Sequence, residues 1–203
     1  MLIIDTHSHI YAENDVQYPP VDKPIRPPES CGGVNRLEAL ARENSVAGVC
    51  IIQPGSYYRW DNRFIGNVSK AHPQDMAGIC ALDPDDAHSP DLLKEYVTDY
   101  EVRGLRSYPA SDGHLDHPGV QALWMEAEQL GITVNVIVNT DQQGERARML
   151  ERFPRLPIVI DHRIGSGRCG KRERSRANGP ELMVQGQIVD PHGCGARSVQ
   201  GCW

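Results

Sequence analysis

The segment Asp5-Thr6-His7-Ser8-His9 is where residue types and spacing first suggest chemistry. In extended backbone, residues i and i+2 point to the same side, so His7 and His9 present two imidazoles together at the end of a short apolar run. Two such nitrogens can grip a divalent metal or a substrate anion. The plain alternative, a histidine that only caps a strand through a backbone hydrogen bond, suits a single histidine better than a pair. Other polar residues gather where later apolar runs give out: Gln53, Asp83, Arg106, Asn139, and Asp161 with His162. Tyr57-Tyr58-Arg59-Trp60 and Tyr108 could line a pocket, although aromatic residues in such loops more often pack against a neighbouring helix.

For these residues to meet, the elements behind them must bring their ends together. Six short apolar runs read as strands, over residues 2–5, 46–52, 76–82, 102–106, 132–138 and 157–161. Their near-continuous hydrophobicity predicts strands buried on both faces, as in a parallel sheet. Between them the sequence predicts helices over 35–43, 62–71, 90–99, 120–130 and 143–153. In the fourth of these, Val120, Leu123, Trp124 and Ala127 repeat at i, i+3, i+4 and i+7, with Pro118 before the helix and Gly131 after it. Such alternation specifies α/β architecture. A doubly wound nucleotide-binding sheet would lack its phosphate turn, since no G-x-G-x-x-G or G-x-x-x-x-G-K-[ST] follows any strand. The expected fold is an incomplete TIM-type (β/α)8 barrel of about six β/α units over residues 1–162. All C-terminal strand ends of a barrel converge on one face, where active sites lie. The Pro-rich first loop, from Tyr18 to Gly33, is suited to covering that mouth.

The 203-residue chain holds 21 Lys+Arg against 27 Asp+Glu, with 39% hydrophobic and 24% charged residues; this fits one soluble globular domain and excludes disordered, collagenous and coiled-coil classes. A formal charge of −6 argues against nucleic acid or an anionic membrane as partner and leaves small molecules as the favoured ligands. No apolar run approaches the roughly 20 residues of a membrane-spanning helix, and the N-terminus lacks the pattern of a secretory signal, so a cytoplasmic protein is expected. Six cysteines, Cys31, Cys50, Cys80, Cys169, Cys194 and Cys202, form no C-x-x-C pair, so neither a disulfide scaffold nor a structural zinc site is expected. Cys50 and Cys80, inside apolar runs, read as small buried hydrophobes. Composition breaks after His162. Residues 1–162 carry 14 basic and 24 acidic residues, whereas residues 163–203 carry 7 and 3, hold 8 of the 19 glycines and show no sustained apolar period. This atypical Gly/Arg-rich tail is either the product of a shifted reading frame or a genuine basic segment. The first is favoured because the break falls inside a strand-loop motif and not in a linker.

Several separated segments occur in a familiar order: Ile4-Asp5-Thr6-His7-Ser8-His9, Val49-Cys50-Ile51-Ile52-Gln53-Pro54 with Asp61-Asn62-Arg63, Ala81-Leu82-Asp83-Pro84-Asp85, Val102-Arg103-Gly104-Leu105-Arg106, and Ile158-Val159-Ile160-Asp161-His162. They resemble the amidohydrolase superfamily, in its amidohydrolase-related branch that includes 2-pyrone-4,6-dicarboxylate lactonase and metal-dependent barrel hydrolases. The resemblance covers residues 1–162. It implies that His7 and His9 are the first-strand H-x-H pair, which binds zinc or another divalent metal in much of the superfamily and handles substrate without metal in the lactonase branch. It also implies a catalytic role for His162 at the end of the sixth strand and a carboxylate-holding guanidinium at Arg106. The alternative for Arg106 is a solvated surface arginine, since Arg103 is equally available. Two departures are visible. The fifth strand, where many members carry histidine or lysine, ends in Asn139, which could hydrogen-bond a substrate or simply terminate the strand. No counterpart can be assigned to the aspartate that superfamily members place after the eighth strand as metal ligand and general base.

The sequence therefore points to a hydrolase of a small, carboxylated substrate, a lactone or related ester or amide, attacked by activated water. His7, His9 and His162 are its candidate catalytic residues, and Arg106, Gln53, Tyr108 and Asn139 its candidate substrate-binding residues. His7 and His9 are also the candidate metal ligands. Metal-dependent decarboxylation, found in the same branch, is the nearest alternative. A non-catalytic remnant or binding protein is the alternative from another class, favoured by the missing aspartate. An open barrel would expose its outer strand edges, so self-association is also expected.

Overall fold

The computed structural model describes residues 2–25, 27, 31–139 and 142–164; the expectations for residues 165–203 lie outside these. Strand and helix alternate throughout: β1 (Ile3–Ser8), α1 (Val34–Glu43), β2 (Val46–Ile52), α2 (Arg63–Ala71), β3 (Met76–Ala81), α3 (Ser89–Tyr100), β4 (Gly104–Ser107), α4 (Pro118–Leu130), β5 (Thr133–Asn139), α5 (Gln143–Arg152) and β6 (Ile158–Ile164). Every neighbouring pair is parallel, and the order across the sheet is the order along the chain, β1-β2-β3-β4-β5-β6. The sheet curls far enough for a β1 side chain to touch one on β6. This is the incomplete barrel that the alternation of apolar runs predicts. No helix among the described residues is long and apolar enough to cross a membrane.

Alternate strand residues face opposite sides, and the two sides do different things. Outward, Cys80, Leu105, Val134 and Val136 pack against Leu93 of α3 and against Leu123, Trp124 and Ala127 of α4. Trp124 Nε1 also donates to Ser107 Oγ at 2.8 Å, which fixes α4 against the end of β4. A second cluster joins Val49 and Ile51 of β2 to Leu37 of α1 and to Ile65 and Val68 of α2. Each such side chain, taken out of water, contributes about 1.5–3 kcal/mol. Inward, Ala81, Arg106, Asn135 and Val159 are register partners across β3, β4, β5 and β6, so one level of the inner wall carries a guanidinium and an amide side by side.

Local chemistry sets the element ends. Helix α4 starts at Pro118, earlier than the apolar period alone indicates, because His117 Nδ1 accepts from the Gly119 amide at 3.1 Å; it stops where Gly131 turns left-handed, at φ 67°. Strand β4 is shorter than expected. The left-handed Glu101 ends α3, and the amides of Val102 and Arg103 bond to Tyr96 and Gly78 before the ladder begins. Strand β1 instead runs on through Ser8. The Asp5 carboxylate accepts from the His7 amide at 3.0 Å and from the Ser8 hydroxyl, holding a register shift between Asp5 and Ser8. Strand β6 continues to Ile164, two residues past the compositional break.

The first loop lies against the loop after β2. The Val21 amide donates to the Tyr57 carbonyl at 2.8 Å, the Ala12 amide to Tyr58 Oη at 2.8 Å, and Tyr57 Oη to Asp15 Oδ1 at 3.1 Å. Tyr57 and Tyr58 are buried and stack edge-on, so they are packing residues and not pocket walls. Cys50 and Cys80 are free, and burial pushes the Cys80 thiol up to about 12, as suits an inert apolar side chain. Cys31, in the first loop, is disulfide-bonded, which cysteine spacing did not signal.

Candidate active site

His7 and His9 meet at the end of β1, where the i, i+2 spacing places their Nε2 atoms 3.4 Å apart with the rings edge to face. Each ring is gripped from behind at Nδ1. His7 Nδ1 lies 2.6 Å from Asp161 Oδ1 on β6, with both side chains 2% exposed. His9 Nδ1 lies 2.7 Å from the Ile52 carbonyl at the end of β2. A carbonyl only accepts, so Nδ1 of His9 carries the proton and its Nε2 carries a lone pair. Burial, then the Arg106 guanidinium and then His7 hold His9 down to about 3, against a smaller upward pull from Ile52 and Asp161, so its ring is neutral at ordinary pH.

Arg106 leaves β4 toward the same point and is fully buried. Its Nη2 lies 3.2 Å from Asp161 Oδ2, and its Nη1 donates to the Gln53 carbonyl at 3.0 Å. Asp161 is therefore shared between a histidine of β1 and an arginine of β4. Beyond it stands an aromatic wall. The Arg106 guanidinium carbon is 5.7 Å from the Tyr108 ring centre, and Tyr108 meets Trp60 edge to face at 5.4 Å. Burial pushes the Tyr108 phenol up, with Arg106 opposing and Asp161 adding. The loop that carries Trp60 is pinned to β3 by Asn62, whose side chain accepts from the Ala81 amide at 2.8 Å and donates to the Ala81 carbonyl at 2.7 Å.

Zinc holds imidazole nitrogens at about 2.0–2.1 Å in a tetrahedron, which sets two of them about 3.4 Å apart. The His7 and His9 spacing fits that chord. Among the described residues, the His/Asp/Glu group whose donor atoms all lie within 4.8 Å of one another is elsewhere: His114 and Asp116 in the loop after β4, with Glu145 at the start of α5. Its atoms serve to latch the loop. Glu145 accepts from the Leu115 amide at 2.6 Å and pairs with His114 Nδ1 at 2.7 Å, while Asp116 pairs with Arg148.

A family model described as Amidohydrolase matches residues 4–168. The chain belongs to the amidohydrolase family. Solved structures share its fold. A probable 2-pyrone-4,6-dicarboxylic acid hydrolase from Acinetobacter baumannii, with citric acid bound, aligns at TM-score 0.62 and 19% identity over 80% of this chain and 58% of that one. The 5-carboxyvanillate decarboxylase of Sphingomonas paucimobilis aligns at 0.57 and 18%, over 78% and 66%. The 2,6-dihydroxybenzoate decarboxylase of Rhizobium aligns at 0.54 and 14%, over 78% and 66%. This amidohydrolase thus spans less than two thirds of the length of each neighbour. No curated protein sequence matches it.

In this amidohydrolase, the structure brings His7, His9, Arg106 and Tyr108 together. Arg106 is no solvated surface arginine; that description fits Arg103, which pairs with Glu101 at the surface. Gln53 reaches the site through its backbone carbonyl, while its side-chain amide turns away to donate to the Asp61 carbonyl at 2.7 Å. The side chains of Asn139 and His162 lie outside the described residues, and their backbones pair within β5 and β6. Two residues of the site were given no role from the sequence. Asp161 looked like one half of an Asp-His strand end, and only the curl of the sheet shows it facing His7. Asn135 sits in mid-strand, where polarity against an apolar run was the only signal; it is buried beside Arg106 on the inner wall.

Proposed function

We propose that this amidohydrolase acts on a small carboxylated substrate, a lactone or related ester or amide, by attack of an activated water on the carbonyl carbon. The observation that carries the reading is the convergence of the His7 and His9 Nε2 atoms beside the buried Arg106 guanidinium. The two imidazole Nε2 lone pairs would hold a divalent cation that faces the carbonyl oxygen, and Arg106 with Tyr108 and Trp60 receives the carboxylate-bearing ring. A divalent ion, when bound by His7 and His9, would supply Lewis-acid polarisation of the carbonyl. Positive groups aimed at the oxygen that gains charge lower the barrier because they are already in place and partly shielded from water. His162 is proposed as the third catalytic imidazole. The lactone-hydrolase neighbour, with its bound tricarboxylate, supports carboxylate recognition.

Metal-dependent decarboxylation is the second reading, supported by the two decarboxylases among the structural neighbours. In that reaction the carbon–carbon bond breaks with its electron pair left on the ring, CO2 departs, and the ring carbon takes up a proton from solvent, so no water adds to the product; the same positive groups would hold the charge that the ring carries meanwhile. Both readings are tested by offering the purified chain 2-pyrone-4,6-dicarboxylate and dihydroxybenzoates, with and without added Zn²⁺, against a His7→Ala/His9→Ala control. Ring opening without CO2 release supports hydrolysis, and CO2 release supports the alternative. Rates no greater than the control in every arm support a non-catalytic binding role.

A further inference from the structure

We infer that Asp161 is a positioning residue that sets the tautomer of His7, and that Arg106 determines which atom of residue 161 does the setting. The inference rests on the reading of His7 and His9 as the groups that meet metal or substrate. Arg106 has only donors, so the Asp161 atom facing it, Oδ2, must accept. The other oxygen, Oδ1, lies 2.6 Å from His7 Nδ1, and an ionised carboxylate can only accept there as well. His7 Nδ1 therefore carries a proton, and when the ring is neutral its Nε2 carries the lone pair. On His9 the Ile52 carbonyl imposes the same state. Two lone pairs are thus turned toward one point, 3.4 Å apart, by groups on β2, β4 and β6 that lie behind the rings. The acceptor pair is preset before any ligand arrives.

The arrangement makes an unusually sharp demand on an isosteric change. In Asp161→Asn, Arg106 again requires an acceptor, so the amide oxygen turns to it and the amide NH2 turns to His7. That NH2 can only donate. His7 Nδ1 must then accept, and the ring proton moves to Nε2, where it points at His9 and blocks the shared point. A side chain that merely filled space or paired charge would weaken the fold without moving this proton.

The experiment is a long-range 1H–15N correlation spectrum of the ring nitrogens in the metal-free chain, with His7 and His9 assigned from their alanine variants. Wild type should show the Nδ1–H form at His7, and Asp161→Asn the Nε2–H form with His9 unchanged. Titration with Zn²⁺ followed on the same resonances should show roughly 10–100-fold weaker binding in the variant. An Nε2–H form of His7 in wild type overturns the inference, as does a folded Asp161→Asn chain in which the tautomer stays put. The wild-type spectrum decides the first point, and Asp161→Asn/Arg106→Gln, which carries no buried charge, decides the second. Glutamine can donate or accept, so the asparagine amide is free to turn either way: a mixed tautomer at His7 in that double variant supports Arg106 as the selector, and an unmixed Nε2–H form overturns it. Absence of lactone turnover in wild type would count against the proposed function and leave the tautomer result standing.

Discussion

Replacing Arg106 with methionine removes the cation that Asp161 and the Gln53 carbonyl share in a fully buried place. The side chain volume is nearly kept, so the main effect is electrostatic. Asp161, 2% exposed, would retain His7 as its partner on Oδ1 and lose Arg106, 3.2 Å from Oδ2. Breaking one side of a buried ion pair costs about 3–5 kcal/mol, because the remaining charge stays out of water without compensation. At about 2–4 °C per kcal/mol for a chain of this size, Arg106→Met should melt roughly 6–20 °C below wild type. Urea unfolding, read by tryptophan fluorescence, gives the same quantity as a shift in midpoint at unchanged slope. The companion Arg106→Met/Asp161→Leu removes both charges; it shares with the single variant the loss of the Arg106 donor to the Gln53 carbonyl and adds only the loss of the Asp161 acceptor to His7 N–H, at about 1–3 kcal/mol. It should therefore be more stable than Arg106→Met alone. A single variant within about 1 kcal/mol of wild type, or a double variant as costly as the two singles added, would refute the buried-pair account.

The latch between the loop after β4 and helix α5 makes a pH prediction. The hydrogen bond and charge of Glu145, with help from Asp112 and Asp116, raise the pKa of the exposed His114 above its usual 6.5. A raised pKa stabilises the fold fully below 6.5 and loses that contribution as pH rises through the folded value. In an NMR titration the His114 midpoint should lie above 6.5 and return toward it in Glu145→Gln; an unshifted wild-type midpoint would contradict the pairing. At Gly119, in the first turn of α4, a Cβ would come 1.8 Å from the Pro84 carbonyl oxygen, a backbone atom that cannot step aside. Gly119→Ala should cost about 1–3 kcal/mol or more, and a neutral melting temperature would show that helix α4 and the loop after β3 do not approach this closely.

The sequence displayed the fold through its periodicities. Apolar runs of strand length alternate with an amphipathic face such as Val120, Leu123, Trp124 and Ala127, and the structure buries that face against β4 and β5. It displayed His7 and His9 because two imidazoles at i, i+2 leave a pattern within five residues. It placed Asp161 at a strand end but gave it no role, and it left the solvated-surface alternative for Arg106 open, for a physical reason. Adjacent inward and outward positions on a strand look alike in a run of mixed residues, and which one faces the barrel depends on register with strands far away in the chain. The turned-away side chain of Gln53 was equally hidden, since its carbonyl, not its amide, reaches the site. The compositional break after His162 has no counterpart in β6, which runs through it to Ile164.

Because the sheet is laid down in chain order, almost every strand contact is with the strand that came just before. The polar cluster supplies the exceptions: Arg106 reaches across to Gln53 and Asp161, and the His7–Asp161 contact joins residues about 150 apart. Direct closure of so long a loop is slow, whereas stepwise addition of each β/α unit shortens the remaining gap. The polar cluster can then form only once five strands are already in place and the sixth docks. It is also the first thing lost when β6 swings away, since β1 through β5 keep their own ladders and their own helix contacts. Displacement of β6 would therefore dissolve the cluster of His7, Asp161 and Arg106 while most of the hydrophobic core, built on β1 through β5, stayed intact, so the site can be lost by a local opening far smaller than the unfolding of the whole chain.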